Sequence, residues 1–459
     1  MLGNVRKKFI GDKQFYKMVL AIAIPIMIQN GLTNFVNLLD NIMVGRLGTE
    51  EMSGVSIVNQ IIFVYNLCIF GGTAGVGIFT AQYFGQKNDE GIRSTFRYKI
   101  WLALIITVGA AFLLLFFGKQ LILLYLTGEN GGNEKLALEY GMTYLRIILL
   151  DLPAFMILQV YASTMRECGE TVVPMKAGAA AVAVNLIFNY LLIYGKFGFP
   201  RLGVAGAAVA TVISQGVSVV LCILYIFLRV KILLPEKQHF RVGSHLYWEL
   251  FSQSISMGLM SSIVSAGSVV LQYGINGLGT LVIAGHTAAR KLFSFTSMPV
   301  MAMASACSTF VSQNCGANQP ERVRKGMKEI ALYSVAVAVL AVLLMQLGAE
   351  WMVQLISGSN EPVVLENGAR YLLWNAPFYS VLGVLLATRY ALQSLGQKVL
   401  PLFSSVIELV GKVVFVLFFI PKFAYNAVIL CEPIIWCFMA AYLVLVYLHD
   451  PFVFPKKAE

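Results

Sequence analysis

The residues best suited to chemistry lie in stretches that carry almost no charge. Asp40 ends a charge-free run that begins after Lys17, a length typical of a membrane span. At 100° per residue, four asparagines of the same predicted helix fall within an arc of about 60° that Asp40 borders; they are Asn30, Asn34, Asn37 and Asn41. Lipid cannot satisfy these amides, so they face a wet cavity or other helices. The pattern predicts a site for a proton or a weakly held Na⁺, with hydrogen bonding between helices as the alternative.

Other charge-free runs carry amides that could complete this site. Asn185 and Asn189 lie one helical turn apart, and we predict that they join Asp40 in the ion-coupling site. Methionines provide a soft surface that suits varied apolar cations, although packing is the simpler explanation. The residues predicted to line a substrate cavity are Asn34, Asn37, Asn59, Asn66, Glu408, Met298 and Met301.

Several charged residues also lie inside predicted spans. Glu408 precedes Lys412 by four residues, which predicts either an ion pair within one helix or a second substrate or proton site. Arg290 is expected to neutralise Glu408 or to line the cavity. Asp151 is expected to pair with Arg146 or to snorkel towards the membrane surface.

Composition identifies the class of protein to which these runs belong. Of the 459 residues, 58% are hydrophobic and 12% are charged, and the mean hydropathy is +0.75. Soluble domains carry about 25% charged residues, and disordered chains are less hydrophobic. The composition therefore predicts a polytopic helical membrane protein.

The hydrophobic pattern predicts twelve membrane-spanning helices. The predicted spans are 15–39, 53–79, 98–118, 136–160, 173–194, 203–228, 248–274, 281–306, 328–348, 368–392, 400–420 and 426–448. With the N-terminus inside, the inner segments hold about 22 of the 34 basic residues, which predicts that both termini are cytoplasmic. This bias explains the net charge of +11 without a nucleic-acid partner.

The sequence provides no pattern for a metal centre or an enzyme. The seven cysteines form no CxxC pair, and the four histidines are scattered. HExxH, GxSxG and Walker patterns are also absent from the sequence, so we predict no resident cofactor, no catalysis and no ATP drive.

An internal repeat divides the chain. At an offset of 231 residues, 47–93 aligns without a gap, and further along the offset is 227, which matches Gly141 to Gly368. Each half then contains six helices in the same orientation, so we predict an all-α fold of two bundles related by a pseudo-twofold axis along the membrane normal. The predicted parts are 1–228, a cytoplasmic linker 229–247, and 248–459. Asp40 has no acidic counterpart in the second half, where Leu271 takes its place.

Several motifs together resemble those of the MATE (multidrug and toxic compound extrusion) transporters. They are the segment from Asp40 to Gly48, Gln82-Tyr83-Phe84-Gly85, Gln313-Asn314-Cys315-Gly316-Ala317, and the stretch from Asn185 through Gly206 to Thr211. The resemblance covers essentially all of 15–448. It implies two six-helix lobes in a V and rocker-type alternating access. It also implies that Asp40 matches the family's coupling carboxylate and Asn185 an amide in the same network.

The resemblance and the residues together predict an antiporter that exports small organic cations, including drugs, in exchange for H⁺ or, as second choice, Na⁺. The tenth span is free of acids from Arg370 to Gln397, which places the chain closer to the DinF-like than to the NorM-like members. We expect a monomer in the lipid bilayer of a bacterial cytoplasmic membrane. The alternatives are a flippase for lipid-linked oligosaccharide precursors, and a membrane enzyme or receptor.

Overall fold

A computed structural model describes residues 13–126, 133–229 and 244–455 of the chain. Nearly all of these residues are helical, and no strand occurs within the three described ranges. The predicted linker falls largely at 230–243, outside the described residues.

Sixteen α-helices follow one another along the described residues. They are α1 Lys13–Gly45, α2 Thr49–Gly85, α3 Asp89–Leu126, α4 Glu134–Ile148, α5 Asp151–Glu167, α6 Val172–Tyr194, α7 Val204–Arg229, α8 Ser244–Asn276, α9 Thr280–Thr296, α10 Met298–Gly316, α11 Pro320–Ser357, α12 Pro362–Asn375, α13 Tyr379–Ser394, α14 Leu400–Val414, α15 Ile420–Phe423 and α16 Tyr425–Leu448. A short 3₁₀ segment, Ala376–Phe378, joins α12 to α13, and a π-helical segment, Phe415–Phe419, joins α14 to α15.

The helices agree with the predicted spans and add breaks that hydropathy did not predict. Within the described residues, ten helical segments are long and apolar enough to cross a membrane, or eleven if the bent pair α4–α5 counts as one span. That pair covers the predicted span 136–160 and bends by 49°. The predicted span 281–306 is divided at Ser297 into α9, which carries Arg290, and α10, which has Pro299 in its first turn. Proline lacks the N–H that would continue the helix ladder.

The chain forms two compact units. The N-terminal unit comprises Ile28–Thr80 and Asn88–Gly258, and the C-terminal unit comprises Met1–Met27, Ala81–Lys87 and Leu259–Glu459, so far as their residues are described. Buried aromatic and aliphatic side chains form the core of the C-terminal unit, among them Tyr371, Tyr379 and Phe310. Large apolar side chains on the outer faces remain exposed, as on α3, where Ile105 and Leu124 are examples. Lipid is the natural solvent for such faces.

Two helix crossings at glycine occupy equivalent places in the repeat. A Cβ on Gly54 of α2 would lie 2.5 Å from the carbonyl oxygen of Ala137 in α4. A Cβ on Gly285 of α9 would lie 2.6 Å from the carbonyl oxygen of Val364 in α12. The repeat offsets relate Gly54 to Gly285 and Ala137 to Val364. The same close approach therefore sets how the second and fourth helices of each half meet.

Candidate ion and substrate site

Asp40 lies beside two amides from another helix. The Asn189 Nδ2 donates a hydrogen bond of 2.5 Å to Asp40 Oδ1 and one of 2.9 Å to Asn185 Oδ1. Both asparagines are buried, and Asp40 is half-buried. The structure therefore brings together the three residues predicted to form the ion-coupling site, while their role remains a prediction.

The position of α6 against α1 follows from the local sequence. Asn185 and Asn189 are four residues apart and so share one face of α6. The Tyr194 hydroxyl donates a hydrogen bond of 3.0 Å to the carbonyl oxygen of Met43, which ties the end of α6 to α1. Gly195 then ends α6 in the left-handed conformation that glycine adopts most readily.

A cavity of about 480 Å³ opens next to Asp40 within the N-terminal unit. This volume lies in the usual range for small-molecule sites. Its walls come from α1, α2, α4, α5 and α7. The lining residues are Thr33, Asn37, Asp40, Asn41, Val44, Val55, Ser56, Asn59, Ile62, Phe63, Asn66, Tyr144, Ile148, Asp151, Phe155, Ala207, Thr211 and Gln215.

The cavity wall mixes apolar side chains with polar and acidic ones. Its lining contains two carboxylates, Asp40 and Asp151, and no lysine, arginine or histidine. The Tyr144 hydroxyl donates a hydrogen bond of 3.2 Å to Asn59 Oδ1 and lies within electrostatic reach of both carboxylates. A cation entering this space meets oxygen atoms and no competing positive charge.

The arrangement around Asp40 can hold a proton or a small cation. Within the described ranges Asp40 forms no ion pair, and Asn189 Oδ1 is buried without a hydrogen-bond partner. That oxygen could accept a hydrogen bond from a protonated Asp40 or contribute to the shell of a bound ion. Among the described residues, no group of three or more His, Cys, Asp or Glu side chains could hold a metal ion.

Some of the predicted cavity residues lie elsewhere. Asn37, Asn59 and Asn66 line the cavity, whereas Asn34 is exposed on α1 and is not among the lining residues. The remaining three belong to the C-terminal unit and do not line this cavity; they are Glu408, Met298 and Met301. Their role as substrate contacts remains a prediction.

The C-terminal unit contains a network of buried charges. The Lys412 Nζ lies 2.8 Å from Glu408 Oε1, so the predicted ion pair within α14 is confirmed. Arg290 pairs with Glu432, at 2.7 Å between Nη1 and Oε2, and not with Glu408 as expected. The Tyr371 hydroxyl donates a hydrogen bond of 2.6 Å to the same Glu432 oxygen. Glu432 is 142 residues away from Arg290 in the chain, so sequence spacing provided no signal for this pair.

The network occupies positions that the repeat relates to the N-terminal site. The offset of 231 matches Asn59 to Arg290, and the offset of 227 matches Tyr144 to Tyr371. Both pairs are hydrogen-bonded, with Arg290 Nη1 donating to the Tyr371 hydroxyl at 3.1 Å. The same offset places Lys412 at the counterpart of Asn185. Fixed positive charges thus stand in the second half where the first half has amides.

Asp151 neither pairs with Arg146 nor snorkels towards the membrane surface, the two expectations from its sequence position. Arg146 is exposed, and neither residue forms an ion pair within the part of the chain that the structure describes. Asp151 is buried at the start of α5 and lines the cavity. The break between α4 and α5 turns Asp151 inwards. Hydropathy does not reveal this break, so the sequence did not predict Asp151 as a cavity residue.

Comparisons with known proteins agree with this fold. The probable multidrug resistance protein NorM of Thermotoga maritima is 26% identical over 335 residues, which cover 71% of this chain and 69% of that protein. The FAD transporter of Shewanella oneidensis is 25% identical over 78% of this chain and 77% of its own length. An outward-facing multidrug resistance MATE family transporter of the MOP superfamily superposes with a TM-score of 0.86, at 20% identity, over 97% of this chain and 98% of that one.

The sequence model of one family covers most of the chain. The MatE model matches residues 25–191 and 257–418, one segment in each half of the repeat. Members of this family are transporters and not enzymes. The chain is therefore a multi-pass membrane protein that belongs to the MatE family of transporters.

Proposed function

We propose that this protein is a proton-coupled antiporter that exports organic cations. The observation that carries the proposal is Asp40, a carboxylate without an ion-pair partner among the described residues, held by Asn189 at the wall of a cavity. An isolated acid in a membrane span is costly and therefore marks a functional site by default. Such a carboxylate can exchange a bound proton for a cation.

The charge of the cavity supports cations over anions as substrates. The relatives include proteins named for multidrug resistance and for FAD transport at nearly equal identity, so their names do not decide the substrate. FAD and lipid-linked oligosaccharide precursors carry phosphate groups, which two carboxylates would repel at this wall. Lipophilic organic cations suit both the carboxylates and the apolar side chains of Ile62, Phe63 and Phe155.

Exchange at Asp40 couples the movement of protons to the export of the organic cation. A neutral Asp40 attracts no cation, and an ionised Asp40 does, so a proton and the substrate compete for the same group. Each ligand moves the transporter only through its different affinity for the two conformations. A single carboxylate suffices to bind a proton, whereas Na⁺ needs several oxygen ligands, so H⁺ is the coupling ion that we favour.

The distribution of charged residues in the sequence supports a topology and a subfamily for the transporter. Basic residues concentrate in the segments predicted to be inside, which supports cytoplasmic termini and a bacterial cytoplasmic membrane. The acid-free tenth span supports the DinF-like group, and Leu271 in place of a second Asp40 supports coupling through the first half alone. We propose a monomer as the transporting unit.

The test uses the purified protein in proteoliposomes with tetraphenylphosphonium as the probe cation. An imposed pH gradient should drive its transport, an imposed Na⁺ gradient should not, and Asp40→Asn should abolish the pH-driven flux. The matched control is Asp89→Asn, which removes an exposed acid at the start of α3 outside the cavity. Wild-type flux in Asp40→Asn would refute coupling at Asp40, and flux driven by Na⁺ alone would refute proton coupling.

A further inference from the structure

A second acid shares the cavity with Asp40. Asp151 begins α5, directly after the break where α4 and α5 bend by 49°, and its side chain lines the same cavity. The proposed exchange at Asp40 makes no use of it.

Asp151 lacks the partners that satisfy the other buried acids. It is 8% exposed, and its Oδ1 atom is buried without a hydrogen-bond partner. Glu167, in contrast, pairs with Lys99, and Glu432 pairs with Arg290. A buried carboxylate is costly unless a positive charge or several donors compensate it. The described part of the protein does not supply that compensation, so a proton or a bound cation has to neutralise this carboxyl group.

The groups that face Asp151 provide no internal cation. Tyr65 of α2 and Tyr144 of α4 lie within its electrostatic reach. The Tyr65 hydroxyl is already occupied by the carbonyl oxygen of Leu152 and by Thr107, each at 2.9 Å. From α7, the cavity is lined by Thr211 and Gln215, which are uncharged, and the remaining acid of the cavity is Asp40.

The repeat argues against a purely structural role. The fourth helix of the second half is interrupted at the same place, by the 3₁₀ segment Ala376–Phe378, and Phe378 is the counterpart of Asp151. The break therefore forms without an acid. Asp151 also does not cap α5, because no side chain provides a capping hydrogen bond there. The first turn of a helix does favour a negative charge, which helps to keep the carboxylate ionised until a cation arrives.

We propose that Asp151 is a second cation-binding carboxylate of the cavity, so that the site prefers organic dications, one positive charge at each acid. This inference rests on the proposed function, since it assumes that Asp40 receives the first positive charge. A monocation engages Asp40 alone. A dication that reaches both acids gains the attraction of Asp151 as well.

The experiment compares two probes that differ by one charge, methyl viologen and its singly methylated analogue N-methyl-4,4′-bipyridinium. Binding to the purified full-length protein is measured by isothermal titration calorimetry. Because the added attraction acts at close range in a partly desolvated site, the wild type should bind the dication about a hundredfold more tightly. Equal affinity of the wild type for the two probes would overturn the inference without any variant.

Two variants assign the preference to Asp151. Asp151→Asn should lose the hundredfold advantage of the dication and bind the two probes with similar affinity, since only Asp40 remains to attract a positive charge. Asp151→Glu should retain the advantage and reports on whether the fold tolerates substitution here. A dication preference that survives in a folded Asp151→Asn protein would overturn the inference.

Asp40→Asn separates the two proposals. If this variant weakens binding of the monocation while Asp151→Asn leaves both affinities unchanged, the proposed function stands and the inference about Asp151 is wrong. If the wild type binds neither probe, the proposed function and the inference are both wrong.

Discussion

The hydrogen bond between Asn189 and Asp40 fixes the position of the carboxylate on which the proposed function depends. The amide donates to Asp40 and to Asn185, so the side chain of Asp40 is held in one orientation at the cavity wall. A donor to a carboxylate stabilises the charged form, the form that attracts a cation. Asn189 therefore acts as a positioning residue for Asp40.

Replacing Asn189 should weaken cation binding without removing the charge. Asn189→Leu loses the donor to Asp40, and hydrogen bonds to charged groups contribute about 1.5–3 kcal/mol, so tetraphenylphosphonium affinity should fall about tenfold or more. The control is Asn367→Leu, which removes a half-buried amide of α12 in the other unit. Calorimetric titration of both variants provides the measurement. Unchanged affinity in a folded Asn189→Leu protein would show that the hydrogen bond does not support binding.

The asparagines also show what the sequence could predict about individual residues. A stripe of amides on one face of a predicted span requires a polar surrounding, and Asn37 and Asn41 of this stripe line the cavity, whereas Asn34 does not. The contact of Asn189 with Asp40 was predicted as part of one site. The contact of Tyr144 with Asn59 was not predicted, because side-chain contacts between distant segments leave no periodic signal. Arg290 was expected to neutralise Glu408 or to line the cavity, whereas it pairs with Glu432.

At the scale of helices, hydropathy predicted the segments and missed their interruptions. The predicted spans 136–160, 281–306 and 368–392 are each divided, at Leu149–Leu150, Ser297 and Ala376–Phe378. Average hydropathy over a window does not change at such points, because the residues on both sides remain apolar. The break before Asp151 decides which residues face the cavity, so the sequence predicted Asp40 as a site residue and missed Asp151.

The close contact between α2 and α4 should not tolerate a larger side chain at Gly54. Gly54→Ala places a Cβ 2.5 Å from a backbone carbonyl oxygen, which cannot move aside as a side-chain end can. Overpacking of this kind costs about 1–3 kcal/mol, so the thermal stability of the purified protein should fall. Gly109→Ala in α3 is the matched control, because no atom lies within 4 Å of its added Cβ. Equal stability of the two variants would contradict the close approach.

The charge network of the C-terminal unit should act in stability and not in coupling. Glu432→Gln leaves Arg290 and Lys412 without one of their negative partners. Breaking a fully buried ion pair costs about 3–5 kcal/mol, and the loss should be smaller here because the Arg290 side chain is 38% exposed and water screens its charge. We expect a lower unfolding temperature and an unchanged dependence of residual flux on the pH gradient. A stable Glu432→Gln protein that has lost pH-driven flux would instead assign this network to coupling.

At the scale of the whole molecule, the two halves share helix crossings and differ in charge. Gly54 and Gly285 make equivalent contacts, while Asp40 and Asp151 are replaced in the second half by Leu271 and Phe378. The amides at 59 and 185 correspond to Arg290 and Lys412, which are neutralised by Glu432 and Glu408. The repeat thus retains its helix crossings, while neither Asp40 nor Asp151 has an acidic counterpart in the second half.

This asymmetry predicts how cation affinity depends on pH. An ionised Asp40 attracts a cation and a protonated Asp40 does not, so the affinity for tetraphenylphosphonium should weaken as pH falls and Asp40 takes up its proton. At ~5 Å and an effective dielectric constant of ~20, the attraction is about 3 kcal/mol, or roughly a hundredfold in affinity. Titrations from about pH 5 to about pH 8 cover the range in which a partly desolvated carboxylate exchanges its proton. The dependence should be greatly reduced in Asp40→Asn and retained in the control Asp89→Asn, because Asp89 lies on the exposed start of α3. A dissociation constant that is flat over this range in the wild type would exclude direct competition at Asp40, and coupling would then have to act through a change of conformation without a shared binding group.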